Sequence, residues 1–334
     1  MAGVVMGRTV CQLGSRVATA MSLCWCLPWW WLGFCLFSGS VPASTPTTVV
    51  TYRAAESALD RRNDYTIAVL KLALDKTRDE YGDYVLQPSL PMNTARARQA
   101  LLNNSYENFI VKFSYDQGLE RAGLVRGGFE PDLDITSYRI CFTRRTLLPE
   151  LSQIGSLQAL RPFSHGQGSG WQDVTILRHN GFAVQEVGQY ESLFKMVASG
   201  RFDLFCRGIN EAMLEQQSHP EINELALDSH LLLYYPLPRF FYTNSRYSAL
   251  LKRVDRGLEQ AFVDGDLQKL WLSFYADSIH AAQIDRRHLL VLQNPGLEAL
   301  ANSRRISYDP FSHQFRWLLF ATPRKPTVTS TPEE

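Results

Sequence analysis

The chain has 334 residues, of which 45% are hydrophobic and 20% are charged, and its formal net charge is +1. This length accommodates two domains of ordinary size, and the composition is that of a folded protein rather than a disordered one. Because charges of both signs are interspersed and nearly balanced, the sequence gives no indication of a nucleic acid or an anionic membrane surface as a partner.

The first 43 residues have the pattern of an export signal. Arg8 and Arg16 form a basic start, and an apolar run extends from Val17 to Phe37. The small residues Val41 and Ala43 then occupy the positions that a signal peptidase reads. We therefore predict a signal peptide at 1–43 and a periplasmic mature chain. An uncleaved membrane anchor is the alternative, because the apolar run is long enough to span a bilayer.

The cysteines divide between this signal and the rest of the chain. Of the six, only Cys141 and Cys206 follow residue 43. An oxidising compartment permits a disulfide between them, and two separate buried thiols are the alternative. No Cys-x-x-Cys pair and no metal-ligand spacing occurs outside the signal, so the sequence implies neither a metal nor a cofactor.

Strand and helix patterns alternate along the chain after a Thr/Pro-rich linker at 44–48. The first part predicts strands at 49–53, 84–86 and 109–113, and helices at 64–81 and 93–102. The middle predicts strands at 137–143, 182–187 and 202–206, and helices at 156–160, 171–180 and 191–199. An extended passage at 231–244 and helices at 247–263 and 267–275 follow, and the Pro/Thr-rich end is predicted to be disordered. This alternation predicts an α/β architecture with largely parallel sheets.

Several segments carry a resemblance to a known family through their order. A glycine-led helix at Gly166-Gln-Gly-Ser-Gly-Trp-Gln-Asp-Val precedes Gly181-Phe-Ala-Val, a helix, and Gly200-Arg-Phe-Asp-Leu-Phe-Cys. Pro236-Leu-Pro-Arg-Phe-Phe-Tyr and Gly257-Leu-Glu-Gln-Ala-Phe come next. From Val49 to Pro295, this order resembles the type II periplasmic solute-binding proteins, in particular their amino-acid-binding branch.

The resemblance implies two α/β lobes joined by two crossing strands, with a ligand cleft between them. Lobe 1 would comprise 49–137 and 239–320, lobe 2 would comprise 138–238, and 321–334 would be a disordered tail. The implied function is an exported protein that closes by hinge motion on a small polar solute, an amino acid or a similar zwitterion. It would present this solute to an ABC transporter or a membrane sensor. A noncatalytic adaptor without a small ligand and a periplasmic enzyme on the same fold are the alternatives.

The chain departs from the family between its first strand and its first helix. The amino-acid binders carry a Pro-Phe and a Gly-rich turn there, whereas this chain reads Arg53-Ala-Ala-Glu-Ser-Ala-Leu-Asp-Arg-Arg-Asn. The departure weakens the case for an ordinary α-amino acid as the ligand.

A cleft that recognises a polar solute needs donors for an anion, acceptors for a cation and flat apolar walls. The candidate ligand-binding residues are Arg53, Glu56, Arg121, Gly168, Ser169, Gly170, Trp171, Asp173, Arg207 and Glu211. The resemblance implies that Arg121 grips a ligand carboxylate, which a guanidinium matches with two parallel hydrogen bonds. The glycines would let the backbone turn so that N–H groups at the next helix face a ligand oxygen.

Structural roles compete with ligand contact at several of these positions. Trp171 is either an aromatic wall of the cleft or a core residue. Asp173 either accepts from a ligand amine or complements the dipole at its helix start. Arg207 and Glu211 either contact the ligand or pair with each other, four residues apart.

The sequence predicts no enzyme. The seven histidines are scattered, and no Gly-x-Ser-x-Gly or His-Glu-x-x-His motif occurs. His165 is the histidine beside the glycine loop, and we expect it at the surface.

Overall fold

The structure, a computed structural model, describes residues 47–320. The predicted signal peptide at 1–43 and the predicted tail at 321–334 lie outside the described residues. None of the helices within 47–320 combines the length and the hydropathy that crossing a bilayer requires.

The first sheet combines strands from two distant parts of the chain. Its members are β1 (Thr48–Tyr52), β2 (Tyr84–Pro88), β3 (Phe109–Ser114), β4 (Leu124–Arg126) and β11 (Arg239–Asn244). Their order is β2-β1-β3-β11-β4, with strands numbered along the chain. The strands β1, β2 and β3 pair in parallel, whereas β11 runs antiparallel to both β3 and β4. The chain therefore returns to this sheet only after it has formed most strands of the second one.

The helices of this half come from the same two parts of the chain. They are α1 (Asp64–Lys76), α2 (Arg78–Tyr81), α3 (Thr94–Leu102), α4 (Gln117–Arg121), α10 (Ser248–Val263) and α11 (Asp266–Ala281). One face of α1 is buried because its apolar residues recur at helical spacing. A Cβ added at Gly257 of α10 would lie 2.0 Å from the carbonyl oxygen of Ala73 in α1. These two helices therefore touch backbone to backbone, and only glycine permits this approach.

The second sheet is mainly antiparallel. It contains β5 (Tyr138–Arg144), β8 (Phe205–Gly208), β9 (Leu225–Leu227), β10 (Leu231–Tyr234) and β12 (His288–Val291). The strand β5 runs antiparallel to β8, β9 and β10, and only β12 pairs in parallel, with β10. The prediction of largely parallel sheets is therefore wrong for the second sheet, because β5 pairs antiparallel with three of its four other strands.

The remaining elements of this half surround a short parallel pair, β6 (His165–Gly168) and β7 (Val184–Val187). The helices are α5 (Leu148–Leu151), α6 (Leu157–Leu160), α7 (Gln172–His179), α8 (Tyr190–Ala198) and α9 (Ala212–Gln217). Cys141 of β5 and Cys206 of β8 are paired positions in the sheet and form a disulfide. The alternative of two separate thiols is therefore wrong.

A C-terminal hairpin, β13 (Arg304–Asp309) with β14 (Gln314–Leu319), completes the described chain, and the sequence analysis did not predict it. Arg305 is buried, and its Nη1 lies 2.7 Å from Oδ1 of Asp134, in the segment that leads into β5. The Ser307 hydroxyl donates to Oδ2 of Asp134 at 2.9 Å, and the Tyr308 N–H donates to the Leu133 carbonyl at 2.8 Å. The hairpin is thus anchored to the first connection between the two sheets.

The extended passage at 231–244 is the second connection. It forms β10 in the second sheet and β11 in the first, and the four residues between them belong to neither. Pro236 and Pro238 lie in this gap, where a residue without an N–H interrupts no ladder.

Element boundaries differ from the predictions where a local bond or packing decides. The predicted helix at 64–81 ends at Lys76, where the Thr77 hydroxyl donates to the Ala73 and Leu74 carbonyls. The predicted opening of α3 is confirmed, because the Asn93 side chain accepts from the Arg96 N–H at 2.9 Å. The division into lobes stays a proposal, and the pairing of β12 would assign 288–291 to the second lobe rather than to the first.

Candidate functional site

A cavity of about 70 Å³ lies between loops and strand ends of the two halves. Among the described residues, seven cationic side chains line it: Arg53, Arg62, Arg98, Lys112, Arg139, Arg207 and Arg239. Two carboxylates, Asp173 and Glu211, also line it. Thr136 and Leu237, on the first two connections between the sheets, form part of the wall. The cavity therefore lies beside these two connections, where a molecule can touch the two halves at once.

Carboxylates behind the wall neutralise much of this positive charge. Arg53 Nη2 donates to Glu56 Oε1 at 2.9 Å, and Arg62 donates to Asp60 at 2.7 Å and to Glu56 at 2.8 Å. Burial, together with the nearby charge of Arg62, lowers the pKa of Arg53 to about 10. Burial opposes ionisation of Asp60, but the hydrogen bonds from Arg62 prevail and hold its pKa at about 2. The first-half side of the cavity is therefore a network of fixed charges.

Asp173 is held by two donors from the protein. Arg139 Nη2 donates to its Oδ1 at 2.6 Å, and the Tyr235 hydroxyl donates to the same oxygen at 2.7 Å. Burial is the main reason that the pKa of Tyr235 lies well above its usual value, so this hydroxyl stays a donor. Asp173 lies in the first turn of α7 and also lines the cavity. Its position therefore suits both predicted roles, complementing the helix dipole and accepting from a ligand amine.

Arg207 forms ion pairs with two glutamates. Its Nη2 lies 2.6 Å from Glu211 Oε2 and 2.8 Å from Glu215 Oε1, and its guanidinium lies 4.7 Å from the ring centroid of Trp171. Burial would raise the pKa of Glu211, but Arg207 and then Arg239 lower it to about 2. The predicted pairing of Arg207 with Glu211 is therefore present, and Trp171 forms an aromatic wall of the cavity.

Among the cations that line the cavity, Arg239 has the longest ion pairs, and it makes no hydrogen bond within the described residues. Within the part of the chain that the structure describes, its Nη1 lies 3.6 Å from Asp132 Oδ2 and 3.7 Å from Glu211 Oε1, and its Nε is buried without a partner. Its side chain remains 24% exposed. Lys112, which contacts Asp132, is nearby, and burial lowers its pKa to about 8, with Arg239 contributing. Arg239 therefore offers unused donors to a molecule in the cavity.

The two halves touch across the cleft. The Ser57 hydroxyl donates to Glu191 Oε1 at 2.8 Å, and the Asn93 side-chain amide donates to the Gly188 carbonyl at 3.0 Å. The guanidinium of Arg62 lies 3.7 Å from the ring centroid of Tyr190. These contacts join the loops of the first half to the β7–α8 segment of the second, so the two halves are in contact across the cleft.

Six of the ten predicted ligand-binding residues line the cavity: Arg53, Gly170, Trp171, Asp173, Arg207 and Glu211. Glu56 lies behind them as the partner of Arg53. Whether any of these side chains binds a ligand stays a prediction.

The glycine turn has a packing role that the sequence analysis did not anticipate. A Cβ at Gly168, in β6, would lie 2.3 Å from the indole of Trp171. The Ser169 N–H donates to the Val187 carbonyl at 3.0 Å, and the Trp171 N–H donates to the Gly168 carbonyl at 3.1 Å. The N–H groups of Ser169 and Trp171 are thus used within the protein, and Gly168 and Ser169 do not line the cavity.

Arg121 does not lie in the cleft. It is exposed on the five-residue helix α4, and its Nη2 donates to Gln117 Oε1 at 2.6 Å. Arg121 is the last residue of this helix, and it does not line the cavity. The predicted role of Arg121 as the carboxylate grip therefore has no support from its position.

His165 is buried rather than at the surface, so that expectation is wrong. It lies in β6, with Nδ1 3.8 Å from the Cys206 sulfur and its ring against Phe182. Burial lowers its pKa to about 4. The residue does not line the cavity.

The sequence analysis missed several lining cations, of which Lys112, Arg139 and Arg239 lie on strands. A signal for Lys112 was available, because a lysine in the apolar run Phe-Ile-Val-Lys-Phe is costly to bury without a partner. No group of three potential metal ligands occurs in 47–320.

No family model matches the chain, and no curated protein matches it. Among solved structures, the chain is similar to an ancestral arginine-binding protein bound to arginine, at TM-score 0.52 and 16% identity, over 69% of this chain and 99% of that one. It is similar to an arginine-specific periplasmic binding protein of Salmonella typhimurium, at TM-score 0.52 and 11% identity, over 69% of this chain and all of that one. A histidine kinase sensor domain with similarity to periplasmic binding proteins matches at TM-score 0.51 and 14% identity, over 69% of this chain and 96% of that one.

These likenesses show the fold. The chain has the two-lobed α/β fold of type II periplasmic binding proteins, and the predicted fold class is confirmed.

Proposed function

We propose that this protein is an exported solute-binding protein that closes on a small polar solute, an amino acid or a similar zwitterion. The observation that carries the proposal is Arg239, a guanidinium without a hydrogen-bonding partner in the described chain, which faces a cavity lined by both lobes. Buried polar groups are normally hydrogen-bonded, and a bound anion would supply the missing acceptor.

The lining can hold both charges of a zwitterion. Arg239 offers donors for a carboxylate, and the buried Nε of Arg139 also has no partner in the described chain. Glu211 and Asp173 supply acceptors for an ammonium group. A volume of about 70 Å³ matches a head group of few atoms rather than a large polar molecule.

The proposed closure of the lobes on the solute rests on the position of these charged groups in different lobes. Arg239 belongs to β11 of the first sheet, whereas Glu211 and Asp173 belong to the second half. A solute that bridges them favours the closed arrangement, in which Ser57 meets Glu191. The closed form is then the state that a partner recognises.

The partner is a membrane transporter or a membrane sensor. Both classes occur among the structural neighbours, as substrate-binding proteins of amino-acid ABC transporters and as a histidine kinase sensor domain. We propose that the chain reaches the periplasm by means of its N-terminal signal and acts there without catalysis.

The test is a binding screen on the full chain produced with its own signal and purified free of carried-over ligand. Thermal unfolding is followed with amino acids, polyamines, organic acids and short peptides. A ligand at one hundred times its Kd stabilises by about 2.7 kcal/mol. Arg239→Ala is expected to weaken the hit at least about tenfold, because hydrogen bonds to charged groups are lost.

Arg121→Ala is the matched control, because Arg121 is exposed and lies outside the cavity. It should bind as the unmodified protein does. If folded, ligand-free protein responds to none of the classes, the proposal fails and the noncatalytic adaptor becomes the better description. Equal losses in the two variants would also refute the assignment of the site.

A further inference from the structure

A second cavity, of about 310 Å³, adjoins the first. It is more than four times as large, and both halves of the molecule line it. Leu59, Arg61, Arg62 and Tyr65 come from the first half, and Tyr190, Glu211 and Leu214 come from the second. Phe274 and Tyr275 of α11 close one side.

The lining of this cavity differs in character from the first. Leu59 and Leu214 lie on opposite lobes, and they are 51% and 45% exposed. Tyr65 and Tyr275 lie beneath them and are almost fully buried. The first cavity is lined mainly by charged side chains. The second combines apolar and aromatic side chains with charged ones, among them Arg61, Asp64 and Glu215.

The two cavities share part of their walls. Arg62 and Glu211 line both. Each is held by an ion pair within its own half, Arg62 with Asp60 and Glu211 with Arg207. A molecule that passes between Arg62 and Glu211 would have its charged end among the arginines and its other end between the two leucines.

We propose that the solute has two parts: a charged head in the first cavity and an unbranched aliphatic or aromatic tail in the second. This inference rests on the proposed function and narrows it to amphipathic zwitterions. The small first cavity holds the head alone, and the second gives the tail apolar contacts from both lobes. Contact with the tail would cover the exposed surface of Leu59 and Leu214, so apolar area adds to the affinity.

The experiment is isothermal titration calorimetry with glycine, 2-aminobutyrate, norvaline and norleucine, at constant pH and salt. These probes share one head and differ in the number of methylenes. The Kd is expected to fall about fourfold with each added methylene that becomes buried. Leu214→Gln should flatten the series, so that the Kd depends much less on the number of methylenes.

Leu90→Gln is the control, because Leu90 is 72% exposed and lines neither cavity. It should preserve the chain-length dependence. Because Leu214 is itself exposed, Leu214→Gln is expected to fold, and thermal unfolding verifies this before titration.

The outcomes separate the inference from the proposed function. If all members bind equally and Arg239→Ala abolishes them, the two-part solute is refuted and the solute-binding role stands. If the dependence on length survives Leu214→Gln, the tail does not lie in the second cavity and the inference fails. If no member binds, the inference fails, and the broader screen decides the function separately.

Discussion

Acid sensitivity of the fold is expected from His165. The side chain is fully buried in β6, and its Nε2 has no hydrogen-bonding partner in the described chain. Burial disfavours the imidazolium and lowers the pKa from 6.5 to about 4. Between these values the unfolded chain binds a proton that the folded chain does not, so the free energy of unfolding falls as the pH is lowered.

The size of the effect follows from the shift in pKa. The difference between 6.5 and about 4 corresponds to roughly 3 kcal/mol, because one pKa unit is about 1.4 kcal/mol. The contribution is fully present above pH 6.5, and it is lost progressively as the pH falls towards 4. This is a large fraction of the stability of an ordinary domain.

Urea unfolding at pH 7 and at pH 4.5, with the disulfide intact, measures the effect. His165→Leu removes the titrating group and should lose about 2 to 3 kcal/mol less than the unmodified protein over this interval. His179→Leu, at an exposed position of α7, should keep the original dependence. If His165→Leu and the unmodified protein lose the same free energy, the assignment to His165 is refuted.

Two further predictions concern the packing of the fold. Arg305→Met should cost about 3–5 kcal/mol, because it leaves the buried carboxylate of Asp134 without its cation. The exposed Arg304→Met should change stability by less than about 0.5 kcal/mol. Similar urea midpoints for the two variants would contradict this reasoning. Gly257→Ala should cost about 1–3 kcal/mol by forcing α1 and α10 apart, whereas Gly155→Ala, which meets no atom within 4 Å, should be nearly neutral. Thermal unfolding compares the two, and equal melting temperatures would contradict the close helix contact.

The alternating elements were predictable because each is encoded by a local apolar pattern. Strands such as β3 and β5 are short apolar runs, and α10 places its apolar residues on one face. The C-terminal hairpin was not predictable in this way. In β13, Arg305 is buried, and its partner Asp134 is far away in the sequence, so no local pattern marks the position as inward-facing.

The candidate site was predictable where a residue follows a strand. Arg53 follows β1 and Glu211 follows β8, and polar residues at strand ends commonly face a cleft. Arg239 and Lys112 lie within strands, and their place in the cavity depends on how the two lobes meet. Arg121 was selected by resemblance, but it is exposed at the end of the short helix α4 and does not line the cavity.

The interleaving of the two sheets has a consequence for the order in which the protein can fold during synthesis. The strand β11 lies inside the first sheet, between β3 and β4, and β12 forms an edge of the second. A ribosome-bound chain that has reached only β10 therefore lacks an internal strand of one sheet and an edge of the other. Non-local pairings of this kind form late, after the loops that precede them have been closed. The nascent chain is thus expected to stay unfolded until most of it has been made.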